Sequence, residues 1–232
     1  MPAIPGSALL ATEEIGESRI PPVLAVLTSA SLYATMPGRF IPGSTGLITT
    51  VRIAVPLLAV ALLWPLALTL PRPRRAPRTS VPRRTAALAL IAVISAANAA
   101  SIVVLVHLLV SGHHIDGRDL LRAAIHIWCA SVLVFALWYW QLDSGGPTAR
   151  RRGSEVPSDF LFTQQAAPQF APPGWQPRFL DYLYVSFTAS TAFSPTDTMP
   201  LTQWAKMLML VESAASMLLL LTVAARAVNI LG

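Results

Sequence analysis

The chain of 232 residues is 54% apolar and only 12% charged, and its formal net charge at pH 7 is +6. These proportions lie far from those of a soluble domain and predict one compact membrane bundle, with no room for a separate soluble enzyme domain. Because nearly all of the positive charge is arginine in connecting segments, we expect membrane lipids as partners and no nucleic acid.

The first residues of the chain give no secretory signal. Residues 1–19 hold three glutamates and lack a basic region followed by an apolar run, so we expect a flexible tail. The single cysteine, Cys129, lies in an apolar segment, which excludes an intramolecular disulfide and a thiolate metal cluster built by one chain. We expect no cofactor and no metal site.

Four segments approach or exceed the roughly 20 apolar residues that cross about 30 Å of hydrocarbon. Each is expected to be a helix, because an isolated span must satisfy its backbone hydrogen bonds internally. A fifth segment, 20–36, is short and holds four Ser and Thr residues, so it is either a span or an interfacial helix. The fold class is therefore an all-α membrane protein with four or five transmembrane helices, the strong spans being 51–70, 86–110, 120–142 and 205–231.

Two connecting segments carry clusters of arginine. Residues 71–85 hold six Arg and no acid, and residues 143–179 hold Arg150, Arg151 and Arg152 among many Pro and Gly. Two spans separate these loops, which puts them on the same side, and the positive-inside rule makes that side cytoplasmic. The second loop is interpreted as either an ordered turret or a mobile connection.

Polar and aromatic groups in the spans are the next candidates. Glu212, in the final span, either supports the preceding segment by bonding its backbone or Ser186, or faces a conduction path, and we favour the supporting role. His126 is interpreted as a polar contact between helices. The aromatic run of Trp138, Tyr139 and Trp140 ends a span and predicts an anchor among lipid headgroups.

The segment from Asp181 to Ser213 is the most informative part of the chain. It is too polar at its start for a full span, and a helical spacing of three and four predicts a half-length amphipathic helix through Leu180, Leu183, Tyr184, Phe187 and Thr191. A hydroxyl-rich stretch, AFSPTD, follows before the long apolar helix. Irregular backbone at membrane depth is tolerated only inside protein or beside water, so the order is typical of a re-entrant pore loop.

This arrangement resembles the tetrameric cation-channel superfamily, whose potassium-selective members carry T-T-V-G-Y-G-D at this point. Aligned without a gap, the corresponding residues here are Thr191, Ala192, Phe193, Ser194, Pro195, Thr196 and Asp197. The resemblance implies a homotetramer, inorganic ions as the transported partners, and a re-entrant helix before the last span. It also implies that Ser186, Thr188 and Glu212 support the pore loop.

The stretch also departs from the potassium signature. Ser194 and Thr196 replace both glycines, and Pro195 removes a backbone donor, which disfavours a filter lined by stacked carbonyls. We therefore do not predict potassium selectivity. Instead, a ring of hydroxyls from Ser190, Thr191, Ser194 and Thr196, with Asp197 at the mouth, predicts a weakly selective cation channel, because acidic rings attract cations.

Other interpretations stay open. Taken alone, Ser194 to Asp197 also fit a capped helix start, with Ser194 as N-cap and Pro195 at the first helical position. A channel fold that lost its filter glycines can serve as a non-conducting scaffold or accessory subunit, and an anion-conducting pore is a further alternative. An enzyme is not expected, because no nucleophile with a base, acid cluster or metal triad stands out.

A second resemblance covers most of the chain. The segments F-A-L-x-Y, D-x-x-Y-x-S-F-T and A-V-N-I-L, here at 135–139, 181–188 and 227–231, resemble those of a group of bacterial multi-span membrane proteins. This resemblance implies a multi-pass protein of the bacterial plasma membrane and supplies no activity. The arginine clusters put the pore loop on the cytoplasmic side, inverted relative to potassium channels, as in the glutamate-receptor pores of the same superfamily.

Overall fold

The computed structural model describes residues 20–37, 40, 81–111, 116–151, 153, 155–191 and 197–231, with 81–83 and 226–231 described by their backbone only. Its helices are α1 (Ile20–Thr35), α2 (Val81–Val110), α3 (Gly117–Leu142), α4 (Pro147–Arg151), α5 (Thr163–Ala166), α6 (Phe179–Thr191) and α7 (Gln203–Leu231). Short 3₁₀ turns occupy Asp143–Gly145 and Pro168–Phe170. Strand β1 (Phe160–Leu161) pairs antiparallel with β2 (Met199–Pro200).

Three described helices are long and apolar enough to cross a membrane, namely Arg84–Val110, Gly117–Gly145 and Gln203–Ala225. They agree with three of the predicted spans and with a helical membrane protein. Helix α1 has 16 residues. At 1.5 Å per residue it is about 24 Å long, which is shorter than the hydrocarbon layer. The predicted span 51–70 and most of the 71–85 loop lie outside the described residues.

Helix α3 is the centre of the bundle, and α1, α2, α6 and α7 all pack against it. Helix α2 is antiparallel to α3, because Trp138 donates to Ser95 Oγ at 2.9 Å and Asn98 donates to Ser131 Oγ at 2.6 Å. The start of α2 and the end of α3 therefore lie together at what we call the upper end. This agrees with the expectation that the loops before α2 and after α3 share a side.

Helix α1 is also antiparallel to α3. Val26 shares an apolar cluster with Val134 near the upper end, whereas Met36 shares one with Ala123 at the lower end. His126 lies 3.2 Å from Thr35 Oγ1, which confirms its predicted contact between helices.

Helix α7 descends from the upper end at the edge of the bundle. Ala205 shares an apolar cluster with Phe160 near the upper end, and Leu219 shares one with Leu105 near the lower end. Only 17% of the most apolar stretch of α7 is buried, against 56% of the corresponding stretch of α3. Apolar side chains such as Leu210, Met217 and Leu221 therefore face outward, where a membrane protein meets lipid or another copy of itself.

The connection after α3 is ordered in the described residues, which supports the turret interpretation. Ser144 and Gly146 adopt left-handed backbone, with φ of 51° and 96°. A Cβ on Gly146 would stand 2.9 Å from the carbonyl oxygen of Gln141, so glycine is required for this tight reversal. Further on, Phe160 and Phe162 are buried against the helices.

The predicted headgroup anchor at the end of α3 is wrong for two of its three residues. Tyr139 is fully buried, and the indole of Trp138 bonds to α2 rather than to a headgroup. The cause is packing, since α2, α7 and β1 enclose the upper half of α3 and turn these rings inward.

Candidate functional site

Helix α6 enters the bundle from the upper end and stops near its middle. Its 13 residues span about 20 Å. Tyr182 bonds to Asp143, which directly follows α3, whereas the ring of Phe187 lies 5.7 Å from that of Trp128, near the middle of α3. The helix therefore runs antiparallel to α3 and ends with Thr191 at about half the depth of the bundle.

The chain is again at the upper end by Asp197. Asp197 and Thr198 line a cavity of about 190 Å³ together with residues from the start of α6 and from α5. The predicted filter residues between these points, Ala192, Phe193, Ser194, Pro195 and Thr196, lie outside the described residues. Of the capped helix start considered for Ser194 to Asp197, only Asp197 lies in the described residues, where it occupies a bend before β2, and α7 begins at Gln203.

Helix α6 is present, but three of the five residues in the stripe from which it was predicted lie on its outer face. Leu180, Tyr184 and Phe187 are 62%, 52% and 49% exposed. The buried face contains Ser186 and Ala189 instead, together with larger residues at the upper end. In a bilayer, apolar side chains are stable facing lipid, while small and polar side chains are retained between helices.

The hydroxyl side chains late in α6 bond to their own helix. Ser190 donates to Phe187 O at 2.9 Å, Thr191 donates to the same oxygen at 3.0 Å, and Thr188 donates to Tyr184 O at 2.9 Å. Ser190 is only 1% exposed. The prediction that Ser190 joins a pore-lining ring is therefore wrong, because its side chain is enclosed within the protomer. Thr191 is half-buried, so its place in the pore-lining ring stays a prediction.

Glu212 lies where α3, α6 and α7 meet, and it is fully buried. Tyr139 OH donates to Glu212 Oε2 at 2.5 Å, and Ser186 Oγ is hydrogen-bonded to Oε1. Ser186 Oγ also lies 2.7 Å from Val132 O. We call Tyr139, Ser186 and Glu212 the inner cluster. The expected Ser186–Glu212 bond is present, and Tyr139 is a partner that the sequence did not indicate.

A second link joins α6 to α7 one residue further along. Ser213 Oγ donates to Ala189 O at 2.9 Å. Both sides of this contact are small, which lets the helix backbones approach closely. Together with the inner cluster, it fixes the position of α6 against the final span.

A larger polar network, the upper junction, consists of Asp143, Ser144, Arg150, Asp159 and Tyr182. Asp143 is fully buried directly after α3. Its carboxyl oxygens accept hydrogen bonds from the backbone N–H of Asp159 at 2.7 Å, from Ser144 Oγ at 3.1 Å and from Tyr182 OH. Asp143 therefore ties α6 to the connecting segment.

Asp159 connects the same network to the final span. It is 7% exposed, and its carboxyl oxygens accept from Ser144 N at 3.2 Å, Thr202 Oγ1 at 2.9 Å and Trp204 Nε1 at 2.7 Å. The start of α7 is thus held to the residues that follow α3.

Arg150 completes the upper junction. It is 8% exposed, and its Nη1 donates to Trp140 O at 2.9 Å and to Asp143 O at 2.7 Å. Its guanidinium carbon lies 5.0 Å from the ring centroid of Tyr182, which is a cation–π geometry. A cation at the end of α3 also complements that helix dipole. Arg150 is therefore a packed structural group and not a free loop charge.

The cavity beside the start of α6 is lined by two acidic side chains and otherwise by neutral ones. Asp181 lines it with Asp197, and its Oδ2 accepts from Arg178 N at 2.6 Å. Asp197 is exposed. In the described part of the chain, no three His, Cys, Asp or Glu residues lie close enough together to hold a metal ion.

Sequence reasoning found Ser186 and Glu212 but missed the upper junction. One weak signal was available, since Asp143 directly follows an apolar span and an acid there must find donors. Nothing in the sequence paired it with Asp159. Comparisons with protein-family models, with curated proteins and with solved structures found no match to this chain.

Proposed function

We propose that the protein is a pore-loop ion channel of a bacterial plasma membrane, assembled as a homotetramer and weakly selective for cations. The observation that carries the proposal is the path of α6. It starts at the upper end, stops at half depth, and the chain is back at the upper end by Asp197. A half-length helix followed by such a return is the geometry of a re-entrant pore loop.

The charge at the mouth supports cations as the permeant ions. Asp197 is exposed beside the cavity that Asp181 also lines. Repeated around an axis, these carboxylates form a ring that concentrates cations and repels anions. The residues from Thr191 to Thr196 then form the narrow part of the path in our proposal.

The inner cluster supports the pore loop in this proposal. Ser186 and Glu212 hold α6 to the final span, and Thr188 stiffens α6 through its bond to Tyr184 O. The outward apolar faces of α6 and α7 provide the surface on which neighbouring copies assemble.

Ion flux into liposomes tests the proposal. We expect the wild-type tetramer to pass sodium and potassium, and Asp197→Asn to lower the flux on the order of tenfold at low salt and less at high salt. The matched control is Asp116→Asn, an exposed acid at the lower end whose side chain caps nothing. A folded tetramer without any ion flux would contradict the proposal, and a chloride preference would contradict the role of Asp197.

Orientation is tested separately by cysteine labelling. We propose that the upper end faces the cytoplasm, following the arginine clusters. Glu155→Cys in a Cys129→Ser background places one thiol on an exposed residue of that end. Impermeant reagents should label it only after the membrane is opened, and labelling of intact cells would reverse the orientation.

A non-conducting scaffold or accessory subunit is the second candidate. It is favoured by the hydroxyls of Thr188, Ser190 and Thr191, which bond to their own helix. The flux experiment separates the two, since a scaffold predicts no difference between Asp197→Asn and wild type.

A further inference from the structure

We infer that Glu212 is a proton-binding site, and that in the folded protein its carboxyl group is a neutral acid that donates a hydrogen bond to Ser186. The inference does not depend on ion conduction. It rests on the burial of Glu212, on the identity of its neighbours, and on the number of protons that its contacts need.

Among the described residues, no positively charged side chain is bonded to Glu212. The side chains that bond it are two neutral hydroxyl groups, Tyr139 from α3 and Ser186 from α6. Of the other titratable side chains on these helices, Cys129 on α3 is a partly buried free thiol. Tyr182 is turned to Asp143, and Lys206 is exposed.

The hydrogen bonds around Ser186 need one more proton than an ionised Glu212 provides. Ser186 Oγ contacts two oxygens, Val132 O and Glu212 Oε1, but its hydroxyl has one proton. A carbonyl oxygen cannot donate. If Glu212 were a carboxylate, one of the two contacts would place lone pairs against each other.

A proton on Glu212 Oε1 satisfies every contact. Glu212 then donates to Ser186 Oγ, Ser186 donates to Val132 O, and Tyr139 OH donates to Glu212 Oε2. No donor or acceptor of the inner cluster is left unpaired.

In the described residues around Glu212, no backbone N–H group is free to stabilise a buried anion. Val132, Tyr139, Ser186 and Glu212 all lie inside regular helices, whose backbone N–H groups are already bonded within the helix. A fully buried carboxylate without a cation or backbone donors is strongly disfavoured relative to the neutral acid. Loss of the proton would place a negative charge inside the contact between α6 and α7.

Infrared spectroscopy of the purified protein tests the inference directly. With glutamate labelled with ¹³C at the side-chain carboxyl, we expect a protonated-acid C=O band at neutral pH, because of the two glutamates that the structure describes Glu155 is exposed and Glu212 is buried. The band should be missing in Glu212→Gln and should shift in Tyr139→Phe, which removes the bond to Oε2. Absence of the band in wild type at neutral pH would overturn the inference, and this measurement needs no variant.

The pH dependence of stability is the second measurement. Because the folded state holds a proton that the unfolded chain releases, raising the pH should lower the ratio of folded to unfolded protein, by up to about tenfold per pH unit. A glutamine can donate to Ser186 and accept from Tyr139, so Glu212→Gln should fold and lose this component. An identical pH profile for wild type and Glu212→Gln would contradict the inference.

Discussion

The inner cluster and the upper junction both bury acids beside α3, but they surround them differently. Asp143 and Asp159 receive backbone N–H groups, an indole and hydroxyls, with Arg150 nearby, because the chain there is irregular and its backbone donors are free. Glu212 receives only hydroxyls, because its neighbours lie in regular helices. A carboxylate is therefore tolerated at the end of a span, whereas an acid inside a span is most stable when it is protonated.

The largest effect is expected from removing the acid of the upper junction. Asp143→Ala leaves the buried Tyr182 OH, Asp159 N–H and Ser144 Oγ without their shared acceptor, so we expect a loss of about 3–5 kcal/mol. Thermal unfolding in detergent measures it. Asp116→Ala, at an exposed position, should stay within about 0.5 kcal/mol of wild type. A change in Asp143→Ala no larger than that control would show that the junction does not stabilise the fold.

Truncating Glu212 should have the next largest effect, and the choice of substitution distinguishes the two clusters. Glu212→Ala creates a cavity, leaves the Tyr139 hydroxyl without its acceptor and removes the donor to Ser186 Oγ, which should cost about 2–4 kcal/mol. Glu212→Gln should cost less than about 1.5 kcal/mol, because it keeps the volume and the hydrogen bonds. The same thermal unfolding assay applies. If the glutamine variant is as unstable as the alanine variant, the inner cluster needs a charged carboxylate, and the proposed difference between Glu212 and Asp143 is contradicted.

Two matched tyrosine substitutions compare the hydrogen bonds that the two buried acids accept. Tyr182→Phe removes a bond to Asp143 and should cost about 1.5–3 kcal/mol, since bonds to charged groups are the stronger ones. Tyr139→Phe removes a bond to Glu212 and should cost about 0.5–1.5 kcal/mol if that acid is neutral. Unfolding free energies of the two variants, measured together, give the order. The reverse order would indicate that the charged acid is Glu212.

The smallest effect is expected from the serine contact beside the inner cluster. Ser213→Ala removes the hydrogen bond to Ala189 O, and bonds of this kind between membrane helices contribute about 0.6 kcal/mol. The expected change is therefore near the limit of a thermal unfolding measurement. A loss above about 2 kcal/mol would mean that this serine, and not Glu212, is the main link between α6 and α7.

The elements that could be predicted from sequence are those set by apolar length. Helices α2, α3 and α7 follow from their hydropathy, and α6 follows from its helical spacing. The Ser186–Glu212 bond could also be predicted from the sequence, because an acid within a span must find a polar partner on a neighbouring helix. In each case the signal is local, or it is a single polar group that needs a partner.

The parts that could not be predicted depend on which way a face turns. A period of 3.6 residues locates the apolar stripe of α6 but does not say whether the stripe meets protein or lipid, and here Leu180, Tyr184 and Phe187 face outward. Tyr139 was interpreted as an anchor for the same reason. The pairing of Asp143 with Asp159 depends on the left-handed turn at Ser144, which no composition rule indicates.

The position of Glu212 within the order of synthesis has a consequence for biogenesis. Both of its partners, Tyr139 and Ser186, precede it in the chain, so they leave the ribosome before α7 does. The acid in α7 can therefore meet hydroxyl groups that are already delivered to the bilayer when it passes the insertion machinery. A rearranged gene that encodes α7 ahead of α3 would deprive the acid of this assistance, and we expect such a chain to insert poorly.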